Sequence, residues 1–286
     1  MSELVFCKLG GSVITDKLRP STPRGDAIAR LAAEVASARA QRPGMRVLLG
    51  HGSGSFGHVV ARRYHVREGI APGGNWWGYA ETGAAASQLN RLVTDALIEA
   101  GVPVVSMQPS ASARCRSGAL AWMEEYPIRQ ALDRGLVPLI YGDVAFDEQQ
   151  GCTIVSTEDE FAYLAARLRP ARIILVGEVD GVYDADPLVE PAAVRIARIT
   201  PATYAEVEAK LSGAHGVDVT GGMLSKVRAM VQLVERGHAQ RVHLISGSRP
   251  GALTKVLLDP GAPYGTVIVG AEERHGAAAG PAPTQM

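Results

Sequence analysis

Short apolar runs alternate along this chain with longer amphipathic stretches. Six runs read as strands: residues 4–9, 46–50, 102–107, 137–141, 172–177 and 241–246. Several are unbroken Val/Ile/Leu segments, the pattern of parallel strands covered on both faces. Between them, apolar residues recur at helical spacing over 26–41, 56–64, 79–100, 126–134, 158–168 and 224–236. Strand-then-helix repetition predicts an α/β fold with an open, mainly parallel sheet and helices on both sides. The strand-poor stretch 181–216 is expected to hold hairpins. No linker-like break divides residues 1–270, so a single domain is expected there. The small-residue, Pro-rich tail 271–286 is expected to be disordered.

Composition narrows the function classes. Hydrophobic residues make up 47% of the 286, enough for a sizeable core. The 29 basic and 29 acidic residues cancel, which disfavours nucleic acid or an anionic membrane as partner. Any bound anion must then be held by a few placed lysines and backbone N–H groups. Cys7, Cys115 and Cys152 are odd in number and far apart, with no Cys/His metal-ligand spacing; disulfide and protein-held metal readings are both poor. Without a signal-peptide layout or a membrane-length apolar run, the expected location is cytoplasmic.

In an open α/β sheet, ligands bind beyond the carboxyl ends of the strands, so the residues after each strand carry the chemistry. The first strand ends in Lys8-Leu9-Gly10-Gly11-Ser12, with Lys17 close behind. Adjacent glycines let N–H groups approach an anion, and two lysines can flank it. This is not a Walker A loop, because GxxxxGK[ST] is absent. The second strand ends in His51-Gly52-Ser53-Gly54-Ser55-Phe56-Gly57-His58 and runs straight into a helix, which makes an anion cradle. The same segment matches GxGxxG, but no strand ending in Asp or Glu follows about 20 residues later, so a dinucleotide site is disfavoured. Further on stand Tyr141-Gly142-Asp143, Ser156-Thr157-Glu158-Asp159 with its helix-capping pattern, Val179-Asp180-Gly181, and Asp218-Val219-Thr220-Gly221-Gly222-Met223 ahead of Lys226.

Together these segments make the chain resemble the amino acid kinase superfamily over about residues 5–269, and within it the isopentenyl phosphate kinases. KLGGSVITDK, HGSGSFGH, YGD, STEDEFAYLA, VDGVYDADP and DVTGGMLSK occur in the expected order. The resemblance implies a three-layer α/β/α sandwich, usually homodimeric, that closes over ATP and its acceptor. It implies that Lys8, Lys17 and Lys226 contact the transferring and leaving phosphates. Gly10, Gly11, Ser12 and Gly54 would surround the ATP phosphates, and Asp159, Asp180, Gly221 and Gly222 would line the nucleotide side. Ser53, His58 and Gly142 would hold an acceptor phosphate, with Trp76 and Tyr79 beside an isoprenoid chain and Mg²⁺ bridging the ATP phosphates. Two departures stand out. The family usually has glycine where Ser53 stands, and Ser-Gly-Asp-Asp where this chain has Ser156-Thr157-Glu158-Asp159.

A phosphate monoester is already anionic at neutral pH, its second pKa being about 6. Such an acceptor needs no catalytic base; the difficulty is bringing two polyanions together, which lysines and N–H cradles address. The expected activity is ATP-dependent phosphorylation of isopentenyl phosphate to isopentenyl diphosphate in isoprenoid biosynthesis. The alternatives are a phosphonate acceptor such as fosfomycin, a carboxylate acceptor, or a non-catalytic nucleotide sensor. The small residues Gly83-Ala84-Ala85-Ala86 are expected to leave room for a longer acceptor chain.

Overall fold

The structure, a computed structural model, describes residues 3–187, 189–213 and 221–270. In chain order it runs β1 (Leu4–Leu9), α1 (Gly11–Ile14), α2 (Gly25–Gln41), β2 (Arg46–His51), α3 (Gly54–Arg63), α4 (Trp77–Glu99), β3 (Val104–Ser106), β4 (Ala113–Arg116) and β5 (Ala119–Met123). It continues through α5 (Tyr126–Asp133), β6 (Val137–Tyr141), β7 (Asp143–Asp147), β8 (Gly151–Val155), α6 (Thr157–Leu168), β9 (Arg172–Gly177), β10 (Val182–Tyr183), β11 (Arg195–Ile196) and β12 (Arg198–Ile199). The last elements are α7 (Tyr204–Gly213), α8 (Gly221–Glu235), β13 (Arg241–Ser246), α9 (Ala252–Leu258) and β14 (Thr266–Val269).

The main sheet has the order β12-β14-β13-β9-β1-β2-β6-β3. From β13 to β3 every neighbouring pair is parallel, and the β13–β14 pair is antiparallel. Strand alternation divides the core in two. Val5, Cys7 and Leu9 of β1 face α2, α4 and α9, joining Leu31, Val35, Leu89, Val93 and Val256. Leu4 and Phe6 point the other way, toward Ile128 of α5, Phe161 and Leu164 of α6, and Met230 of α8. A strand buried on both faces carries apolar residues at every position, which is why these runs show no polar alternation.

All six predicted strands and all six predicted helices are present, with ends shifted by a few residues. Two smaller sheets accompany the main one, of which the four-stranded one was not anticipated. A four-stranded sheet, β5-β4-β7-β8, stands between β3 and α6, and β10 pairs with β11. The β10–β11 hairpin lies in the stretch expected to hold hairpins, which also contains α7. The tail 271–286 and Asp218-Val219-Thr220 lie outside the described residues. All three cysteines are buried free thiols. Among the described residues, no helix is long and apolar enough to cross a membrane.

Candidate active site

Parallel order brings the carboxyl ends of β1, β2, β6, β9 and β13 to one side of the sheet, and the loops that leave them build the site. Two of these loops interlock. A Cβ at Gly11 would lie 2.6 Å from the Gly54 nitrogen, so the KLGG and HGSG turns touch backbone to backbone. Gly54 has φ +50°, a left-handed conformation that favours glycine. Thr15 closes the joint: its hydroxyl donates to the Gly11 carbonyl (2.7 Å) and accepts from the Ser55 N–H (3.0 Å). Gly11 and Ser12 open a short helix, where N–H groups have no intrahelical acceptor. The Gly10 N–H, expected among the phosphate donors, instead donates to the Val176 carbonyl at 2.8 Å and ties β1 to β9.

Above this joint lies a cluster of charge. Lys8 Nζ is 2.8 Å from Glu158 Oε1, and Lys226 Nζ is 3.6 Å from the same oxygen. Burial alone would raise the Glu158 carboxyl, but the two lysines and the Lys8 hydrogen bond override it and pull it down to about 2. Lys226 also falls below its ordinary value, through burial and the charge of Lys8. One carboxylate therefore holds two ammonium groups in a partly desolvated space. In sequence Glu158 is a helix-opening acid within a departure from the family pattern; in the structure it pairs with both lysines. Lys17 is mostly exposed and paired with Glu178 at 2.8 Å, and Arg24 reaches the same carboxylate at 3.8 Å.

Both departures from the family pattern are accommodated locally. The Ser53 side chain fills the space over Gly57, where a Cβ would meet Ser53 Cβ and Oγ at 2.7 Å. Thr157 donates its hydroxyl to the His51 carbonyl (2.7 Å) and sets its methyl against Gly50. His51 is wholly buried, and desolvation takes it down to about 4. Its Nδ1 lies 3.1 Å from the Gly52 carbonyl and its Nε2 3.2 Å from Asn90 Oδ1, and the Asn90 NH₂ donates to the Ser106 hydroxyl at 2.6 Å.

Beside the glycine joint, α3, α4, β7 and β8 line a small, open cleft of about 10 Å³. Ser53, His58 and Gly142 line it, together with the apolar Ala61, Ala86 and Ile154 and the buried Thr82 and Asp143. His58 is exposed at its edge; desolvation, then Lys8, Arg62 and Arg67, lower its pKa. The expected acceptor-phosphate residues are thus together. Trp76 is not among the residues lining this cleft: it packs against Tyr79 and Phe146, centroids 5.8 Å away in each case. Tyr79 stacks on Phe146 at 4.8 Å. Asp143 stands in the YGD segment without an assigned role, and Thr82 lies outside every motif.

On the donor side, Asp159 is exposed and shares a capping box with Ser156, whose N–H and hydroxyl both donate to its carboxylate. The Asp180 carboxylate accepts from the Tyr183 hydroxyl. Gly221 and Gly222 open α8, the helix that carries Lys226.

The chain matches the amino acid kinase family over residues 3–246. It is 35% identical over 263 residues to an isopentenyl phosphate kinase from Methanothermobacter thermautotrophicus, a match covering 89% of this chain and 95% of that one. The corresponding enzyme of Haloferax volcanii is 36% identical over 257 residues, covering 88% and 98%. A solved isopentenyl phosphate kinase superposes with a TM-score of 0.78 at 32% identity, covering 93% of this chain and all of the other. Family profile, full-length relatives and fold agree: the chain belongs to the amino acid kinase family, and within it to the isopentenyl phosphate kinases.

Proposed function

We propose that the chain transfers the γ-phosphoryl group of ATP to isopentenyl phosphate, giving isopentenyl diphosphate. The observation that carries this reading is the convergence of Lys8 and Lys226 on Glu158, directly above the interlocked glycine loops and beside the cleft edged by His58. Two cations in a partly desolvated pocket are suited to charge that spreads over the equatorial oxygens of a phosphoryl group in flight. The acceptor phosphate takes the mouth of the cleft, at His58 and the Ser53–Gly142 backbone, with its hydrocarbon tail between Ala61, Ala86 and Ile154. ATP takes the side of Gly11, Ser12, Asp180 and the start of α8, with Lys17 reaching in from the loop after β1.

Among the described residues, no group of three His, Cys, Asp or Glu is placed to hold a metal ion. A Mg²⁺ ion held mainly by the ATP phosphates would neutralise part of their charge. Exposed Leu92 and Ile98 on α4 and Val105 on the end strand β3 present apolar atoms at one margin of the sheet, in favour of a homodimer. A cytoplasmic location fits the free thiols. The test is ADP release by purified chain with Mg-ATP. Release should depend on isopentenyl phosphate and exceed that with fosfomycin or glutamate; turnover independent of isopentenyl phosphate refutes the assignment.

A further inference from the structure

The lining of the acceptor cleft is not all apolar. Thr82 lines the cleft, is 2% exposed, and its hydroxyl has no hydrogen-bond partner among the described residues. A threonine inside a helix ordinarily satisfies its hydroxyl on a carbonyl one turn back. Tyr79, three residues earlier and on the same face of α4, also has a buried, unpartnered hydroxyl. Asp143 lies across from them, 1% exposed, and also lines the cleft. Its carboxylate accepts the Val144 N–H (2.8 Å) and the Ser110 N–H (3.1 Å), which leaves lone pairs on both oxygens. The helix passes close over it: a Cβ at Gly83 would sit 3.7 Å from Asp143 Oδ1.

A pure hydrocarbon tail pressed into this end would seal two hydroxyls and a carboxylate away from water without giving them partners. Sites furnished with buried polar groups discriminate strongly against ligands that leave those groups unpaired. Building on the phosphorylated-acceptor reading above, we infer that the cleft has a hydroxyl-binding floor at Thr82 and Asp143, and that short branched alkyl monophosphates bearing a hydroxyl on the chain are a second acceptor class. The phosphate stays at the His58 mouth and remains the nucleophile. The chain hydroxyl donates to Asp143 and accepts from Thr82, and takes no part in the transfer.

The test compares isopentenyl phosphate with 3-hydroxy-3-methylbutyl phosphate in an ADP-release assay on the full chain. The unmodified enzyme should turn over both, the hydroxylated acceptor with kcat/KM within about tenfold of that for isopentenyl phosphate. Thr82→Val keeps the shape but removes the hydroxyl, and should collapse the ratio of the two kcat/KM values. Thr82→Ser should preserve it. Because the ratio is taken within each variant, partial loss of folded protein cancels. No turnover of the hydroxylated acceptor by the unmodified enzyme would mean that the floor merely holds water, and would overturn the inference. So would equal ratios in the Val and Ser variants. Turnover of neither phosphate would overturn the acceptor reading itself, and this inference with it.

Discussion

Lys8 and Glu158 meet at 2.8 Å between the end of the central strand β1 and the first turn of α6. That contact links the two halves of the site, because Glu158 also faces Lys226 of α8. With its carboxyl pulled from 4.5 to about 2, Glu158 contributes at most about 3 kcal/mol. The lowered pKa of Lys226 works in the opposite direction and reduces the net figure. The sign is that of a depressed acid: the contribution is present above about pH 4.5 and fades as pH falls toward 2. Glu158→Gln should remove this acid dependence, lower stability at pH 7 by about 1–3 kcal/mol, and cut kcat as the lysines lose their common anchor. Urea unfolding at pH 3, 5 and 7 measures the first two; an unchanged kcat would show that the lysines are oriented without Glu158.

Lys17 is held by an exposed carboxylate, Glu178, rather than by the buried cluster. A solvent-screened pair of this kind contributes little to stability, so Lys17→Ala should leave the melting temperature nearly unchanged. Its cost should appear in kcat, by about tenfold or more, if the ammonium swings onto the transferring phosphoryl. Steady-state kinetics decides: near-normal kcat in Lys17→Ala removes the residue from the catalytic set.

The joint between Gly11 and Gly54 makes a sharper structural prediction. Gly54→Ala combines a left-handed φ of +50° with collision against the Thr15 hydroxyl and the Gly11 carbonyl. A loss of at least about 2 kcal/mol is expected, together with a large fall in activity. Gly73→Ala is the matched control, because φ there is +78° and a Cβ would meet nothing within 4 Å. It should lose only the conformational part, about 1 kcal/mol, and retain activity. Equal losses in the two variants would show that the loop joint is not tight.

Glu160 is fully buried, and neither carboxylate oxygen has a partner among the described residues. Burial, reinforced by Asp143, Asp159 and Glu158, raises its pKa well above the ordinary carboxyl value. The linkage is the reverse of that at Glu158: stability is full below about pH 4.5 and declines as pH rises toward the folded-state pKa. Glu160→Met keeps helix propensity and similar volume, and should stabilise the protein at pH 8 more than at pH 5. Thermal melts at the two pH values check this; a loss of stability at both would mean that the acid has a partner after all.

How much of this was legible follows from where each signal lies. The main-sheet strands announce themselves because burial on both faces demands continuous apolar runs, as in Leu4–Leu9 and Arg172–Gly177. The small sheet does not. Ala113–Arg116 alternates arginine with Ala and Cys, Ala119–Met123 is a short apolar run beside it, and the two pair through a bulge, so no shared period survives. Lys8 stands out as a charge closing an apolar strand. Glu158 does not, since an acid in a first helical turn already has a local explanation, and its two lysines lie far away in sequence. Thr82 is still less visible, because its meaning rests on an unpaired hydroxyl that only packing creates. Trp76, a large aromatic next to a motif, reads as a pocket wall in sequence, and in the structure its ring packs on Phe146.

His58 offers the most direct reading of the acceptor end. Desolvation, with Lys8, Arg62 and Arg67 nearby, holds its pKa below 6.5, so the free enzyme carries a neutral imidazole at pH 7–8. A neutral ring donates one N–H to the acceptor phosphate, and a glutamine can supply the same donor. His58→Gln should therefore retain more acceptor affinity than His58→Ala, whose KM should rise about tenfold or more while kcat changes less. Above pH 7 neither the acceptor phosphate nor His58 changes charge, so kcat/KM for the acceptor should show no histidine inflection between pH 7 and 8.5. An inflection in that range that disappears in His58→Gln would mean that the site uses imidazolium, and that a bound dianion lifts the His58 pKa past the surrounding cations.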